Sequence, residues 1–97
     1  MDKTALITYV TDFVSPHFFD KDTMAFFNSR LETGLLKDQY FITSEQDTTY
    51  KNPAFNGERR YSIRHIDHDN KLIHTINDFM GYKTLEQAKK ALKELLK

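Results

Sequence analysis

Residues 60–79 read RYSIRHIDHDNKLIHTINDF, two β-prone runs on either side of Asp69-Asn70. Each run is rich in β-branched and aromatic residues, and Asp-Asn is turn chemistry. A two-residue turn at Asp69-Asn70 pairs His68 with Lys71 and thereby sets every later pair. Ile66 then faces Ile73, His65 faces His74 and Ile63 faces Ile76. A three-residue turn would set Ser62 against Ile76 and lose these matched pairs, so the two-residue register is preferred. Side chains alternate along a strand. One face therefore carries Tyr61, Ile63, His65, Leu72, His74 and Ile76. The other carries Arg60, Ser62, Arg64, Ile66, Ile73, Thr75 and Asn77. The first face is assigned to the core, and the second mainly to solvent or a partner.

Downstream of the hairpin, Thr84-Leu85-Glu86-Gln87 fits a capping box, in which Thr84 accepts from the Gln87 amide while Gln87 reaches back. Leu85, Ala88, Leu92 and Leu95 follow at spacings of three or four and predict one buried helical stripe. Glu86 precedes Lys90 by four residues, the favourable order for a helical ion pair. Lys93 and Lys97 suit the negative end of the helix dipole. Upstream, Tyr40–Ser44 reads as a strand, Met24–Arg30 as another, and Leu31–Asp38, with Gly34, as a turn. His17–Asp22 reads as a connection, with Phe18 and Phe19 tucked inward. Lys3–Val14 places Ala5, Leu6, Tyr9, Val10 and Phe13 on one helical stripe and stops at Ser15-Pro16, because the residue before proline avoids the helical region. A strand over Leu6–Val10 is the alternative. The expected architecture is a single α+β domain, residues 1–97: an antiparallel sheet of about four strands packed by a C-terminal helix, with an N-terminal helix.

The 97 residues suffice for one domain and one modest core. Eight Phe and five Tyr supply that core, and there is no Trp. Cysteine is absent, which suits a reducing compartment. Met1-Asp2-Lys3-Thr4 does not open a signal peptide, and no apolar run approaches the roughly 18 residues of a membrane span. The expected location is the cytoplasm, away from membranes. Net charge is zero, yet residues 1–50 carry four basic and eight acidic side chains, a net −4, while residues 51–97 carry ten and six, a net +4. Such asymmetry can mark a partner-binding face, or simply halves that neutralise each other on folding.

Catalytic and metal-binding patterns are missing. Gly34, Gly57 and Gly81 stand far apart and build no phosphate loop, and neither a nucleophile elbow nor a His-Glu-x-x-His motif occurs. His65 opposite His74 offers two imidazoles, but zinc takes three or four protein ligands. Asp20 and Asp22, and Asp67 and Asp69, fall on turns rather than in a cleft. The chain reads as a non-enzyme with no cofactor and no metal.

Binding is then the expected activity. Glu45–Glu58 is polar, holds Asn52-Pro53 and Asn56-Gly57, and has no periodicity; unstructured loops of about 12–15 residues in a compact domain are uncommon and often functional. Tyr50 and Phe55, with Lys51 between them, are the expected protein-binding anchors, since aromatic side chains concentrate interface energy. The alternative is a nucleic-acid face using Arg59, Arg60 and Arg64 beside Ser62, Thr75 and Asn77, with Lys89, Lys90 and Lys93 on phosphates. A third reading is a homodimer through an open sheet edge.

Two resemblances bear on this choice. Arg60-Tyr61-Ser62-Ile63-Arg64, a hairpin, then Gly81-Tyr82-Lys83-Thr84 and Glu86-Gln87-Ala88 resembles the AP2-like arm-binding module of phage-type integrases, over residues 58–97. That likeness implies a sheet set into DNA and backed by a helix. Here His74-Thr75-Ile76-Asn77-Asp78 stands where that family has a densely basic strand. From Met24 onward the chain also resembles a family of short uncharacterised bacteriophage and mobile-element proteins. The likeness lies in Phe26-Phe27-x-Ser29, Tyr40–Glu45, Arg60–Arg64 and Phe79-x-Gly81-Tyr82-x-Thr84. The likeness implies no particular activity; a phage origin would favour a small partner-binding protein, with inhibitors of host defence among the class.

Overall fold

The computed structural model describes residues 2–13, 27–46 and 57–97. In chain order these form helix α1 (Lys3–Tyr9), continued by a 3-10 turn (Val10–Asp12), then strands β1 (Arg30–Leu31), β2 (Tyr40–Gln46), β3 (Arg59–Asp67) and β4 (Leu72–Ile76), and helix α2 (Leu85–Leu95). The strands make one antiparallel sheet in the order β1-β2-β3-β4. The fold is the α+β class read from the sequence.

The hairpin holds the expected register: Ile63 faces Ile76, His65 faces His74 and Ile66 faces Ile73. Its turn is wider than two residues. Pairing ends at Asp67 and Leu72, Asp67 caps the turn by accepting from the backbone and side chain of Asn70 at 3.1 and 2.8 Å, and Lys71 takes a left-handed φ of 55°. The Asn70 bonds hold the Asp67 carboxyl below its usual pKa.

Both sheet faces are covered, which corrects the reading of Arg60–Asn77 as a solvent face. On the first face α2 lays Ala88 and Leu92 over Ile42 and Ile63, flanked by Tyr61, Ile76, Tyr82, Leu85 and Ala91. On the second, α1 and its 3-10 turn set Leu6, Val10 and Phe13 against Phe41, Ile66 and Ile73, with Leu35. Burial of apolar area drives both layers. The sheet is thus the middle of a helix–sheet–helix sandwich, and Ser62, Arg64, Ile66 and Ile73 are buried with it.

Other expectations shift by shorter distances. Helix α1 is the expected helix, capped by the Asp2 carboxylate accepting from Ala5 N–H at 2.8 Å. Its 3-10 continuation ends at Asp12, and the backbone of Phe13 is already extended. Tyr9 is partly exposed and reaches His68 instead of the core. The Asp38 carbonyl can only accept, so His68 Nε2 donates to it at 2.7 Å, and Nδ1 accepts the Tyr9 hydroxyl at 2.6 Å. The strand expected over Met24–Arg30 is instead Arg30–Leu31, preceded at Asn28 by a left-handed φ of 47° that no strand tolerates. Residues 24–26 lie outside the described residues. Strand β2 runs on through Glu45 and Gln46, which were assigned to the loop, because both pair with β3. Helix α2 has its Thr84 cap, accepting from Gln87 N–H at 3.1 Å, while Gln87 reaches back to Lys83 N–H. Its stripe turns by one residue at the end: Leu95 is exposed and Ala91 packs instead.

Between Ile76 and Tyr82 the chain leaves the sheet edge and returns, so that Tyr82 pairs with Tyr61 and α2 starts over the first face. The excursion folds across the second face and buries Met80, whose φ is 58°. Gly81 closes it. A Cβ there would lie 2.8 Å from the Asp78 carbonyl oxygen, a backbone atom that cannot step aside. Gly81→Ala is therefore expected to lower stability by about 1–3 kcal/mol, read from the urea midpoint. An unchanged midpoint would show that the excursion relaxes freely.

Candidate functional site

Charged and polar side chains of the sheet gather at the end where β2 finishes and β3 begins. On the α1 side of the sheet, Glu45 is fully buried. Its carboxylate accepts from Arg64 Nη2 at 2.6 Å, Ser62 Oγ at 3.0 Å and Thr43 Oγ1 at 2.5 Å. Arg64 also donates from Nε to Thr43 Oγ1 and from Nη1 to Thr75 Oγ1, and its guanidinium lies 5.2 Å from the centre of the Phe79 ring. Ser62 Oγ accepts from Met80 N–H at 2.8 Å, and Arg60 Nε donates to the Met80 carbonyl at 2.7 Å. The excursion after β4 is thus the cover that closes this network.

On the opposite side of the same end, Arg59 donates to Ser44 Oγ at 2.7 Å and to the Asn28 carbonyl at 2.9 Å. Ser44 passes the chain on to the Glu32 carboxylate. Burial, and then the neighbouring Arg30 charge, hold the Arg59 pKa below its usual value. All three arginines expected on an outward nucleic-acid face are therefore bonded within the fold: Arg64 is buried, and Arg59 and Arg60 are half-buried. The sequence signal that was missed is the partner: Glu45, assigned to a loop, is the carboxylate that draws Arg64 inward.

The lysines behave differently. Lys89, Lys90 and Lys93 are exposed on α2. Lys89 and Lys93 line a groove of about 690 Å³ between α2 and the turn after β1, together with Thr33, Leu36, Lys37, Leu92, Leu96 and Lys97. Leu36 enters from a tight turn closed by Gln39 N–H on the Leu36 carbonyl, with left-handed φ values at Lys37 and Asp38. Leu96, the C-cap of α2, stands one turn beyond Leu92 and donates its N–H to the Leu92 carbonyl. The groove has an apolar floor and a rim of four ammonium groups, and none of its described lining residues is acidic. No periodicity reveals it, because it needs the β1–β2 turn and the last turns of α2 to meet.

Tyr50, Lys51 and Phe55, the expected protein-binding anchors, lie outside the described residues. His65 and His74 stack with ring centres 6.2 Å apart, and Tyr40 lies 5.0 Å from His65. Among the described residues no group of three His, Asp or Glu side chains could hold a metal ion. No described helix is long and apolar enough to cross a membrane.

Comparison with known proteins finds no match among curated proteins and none among solved structures. A family model does match, over residues 10–93, a span that begins just after α1 and takes in the whole sheet, the buried Glu45–Arg64 pair and most of the lysine-rimmed groove. The chain belongs to DUF7447, a family of unknown function.

Proposed function

We propose that this chain is a non-catalytic protein-binding module, encoded by a phage or mobile element and acting in the cytoplasm on a host or phage protein. The phage likeness of its sequence motifs suggests inhibition of a host defence protein as the process. The observation that carries the binding reading is the groove beside α2, an open apolar floor with four lysines at its rim and no acidic side chain among its described lining residues. Apolar floors bordered by charge are how small domains hold protein partners. The charged groups of the sheet interior serve the fold, whereas the groove is a polar–apolar surface open to a partner among the described residues. Tyr50, Lys51 and Phe55 remain further proposed anchors, on the sequence argument alone.

A photo-crosslinking residue at position 96, which is exposed at the groove, tests this in the native host. One protein adduct, lost in the Lys89→Glu/Lys93→Glu variant, is the expected result. A nucleic-acid adduct whose yield falls steeply with salt would replace the reading with the DNA-binding one, carried by Lys89, Lys90 and Lys93. A self-adduct, with a doubled mass in light scattering, would replace it with a homodimer.

A further inference from the structure

Resting on the protein-binding reading, we infer that the occupant of the α2 groove is an acidic amphipathic helix of the partner. Three features of the groove select it. Lys89 and Lys93 stand four residues apart on α2, so their stems leave the helix about 6 Å apart, and Lys97 follows on the same bank just past the helix C-cap, Leu96. Carboxylates at every fourth position of a second helix repeat at the same interval. Lys37 stands on the other bank, no acidic side chain is among the described lining residues, and Glu94 pairs with Lys97 at 3.2 Å, both exposed. The floor, Leu36, Leu92 and Leu96, lies between the banks, so the occupant must present an apolar stripe with acidic rows beside it.

A helix does this, because positions i, i+3, i+4 and i+7 form the stripe and the flanking positions form the rows. An extended strand does not, since its side chains point to opposite faces and one face cannot offer both the apolar set and the acidic set. A flat bilayer would meet the lysines and the exposed Leu96 but not Leu92, which is only 4% exposed. Duplex DNA would pair with the lysines and leave the leucines unused. A small amphiphilic anion would be poorly enclosed by an open trough, whereas small-molecule sites bury most of their ligand.

The test uses the full chain and a fluorescein-labelled capped peptide of designed sequence. Leu occupies one helical stripe, and Glu occupies every fourth position on each side. Its companions are the Glu→Gln peptide, the Glu→Lys peptide, an acidic peptide of the same composition with the stripe scrambled, and phosphatidylserine vesicles. Anisotropy gives affinity, and amide chemical shifts give location. The acidic stripe peptide is expected to bind about tenfold more tightly than its Gln form, the sum of several modest exposed ion pairs. It should shift amides of residues 33–37 and 89–97. Lys89→Glu/Lys93→Glu should weaken it by a similar factor and gain binding to the Lys peptide, and Leu96→Ser should weaken it without unfolding the domain.

Equal binding of the scrambled peptide would overturn the inference, since charge alone would then suffice. So would equal binding of the Gln form, shifts elsewhere, or preferential binding to the vesicles. The two proposals fail separately. A protein adduct at position 96 formed through a segment that is neither acidic nor helical sinks the inference and spares the protein-binding reading. No specific protein adduct sinks both.

Discussion

Glu45→Gln lowers the stability of the domain by about 3–5 kcal/mol, the usual result of removing one partner from a buried ion pair. The substitution keeps shape and volume, so the loss is electrostatic. Glu45 is the acceptor for Arg64, Ser62 and Thr43 together. An amide retains one acceptor oxygen and presents N–H groups where the second oxygen stood. Arg64 is then a buried cation without its counter-charge, and a guanidinium does not escape by releasing its proton. Domains of this size are stable by about 5–15 kcal/mol, so the variant should be marginal at 37 °C. Equilibrium urea denaturation measures it.

The same pair explains why the effect should be larger than its distance from any surface suggests. Glu45 and Arg64 sit on neighbouring strands, and the network passes through Ser62 to the Met80 amide and so to the excursion that covers it. Glu45→Leu combined with Arg64→Met removes both charges and should recover a good part of the loss, because a hydrophobic pair of similar volume often replaces a buried ion pair without penalty. Thr43, Ser62 and Thr75 keep the recovery incomplete, since each loses a partner. A Glu45→Gln variant within about 1 kcal/mol of the parent would mean that solvent reaches the pair, as it does for exposed ion pairs.

The contrast between these strands and the terminal helix shows what the amino-acid order can and cannot reveal. The Ile63–Ile76 and Ile66–Ile73 pairs were legible because turn and apolar matching constrain one register, and α2 was legible because its cap and its stripe agree. The two-sided burial was also written there: Ile63 and Ile66 are three apart, as are Ile73 and Ile76, so each strand puts an isoleucine on both faces. Reading one face as solvent gave the arginines too much weight. Residue type argues for exposure, and only the β2–β3 register brings a carboxylate to Arg64. That register spans residues 47–56, a stretch with no periodicity from which to infer it. The groove was illegible for a related reason, since Leu36 and Leu92 are distant in sequence and their meeting is tertiary.

Phe41→Ala is expected to cost about 3–5 kcal/mol and to act first on the N-terminal layer. Phe41 is fully buried on the sheet face that α1 covers, in the cluster with Leu6, Val10, Phe13, Leu35, Ile66 and Ile73. Helix α1 has only seven residues, too few to be stable apart from what it packs against. Removing the ring takes away its central contact, whereas the Ala88 and Leu92 contacts lie on the far face and are untouched. Hydrogen exchange should therefore quicken at the α1 amides beyond the change in global stability, while α2 amides follow the global change alone. Leu6→Ala, approaching the same cluster from the helix, should combine with Phe41→Ala for less than the sum of the two, since each variant already loses part of the other's packing. Strict additivity, or a Phe41→Ala loss below about 1 kcal/mol, would mean that α1 does not seal this face, and the sandwich would reduce to a sheet backed by α2 alone.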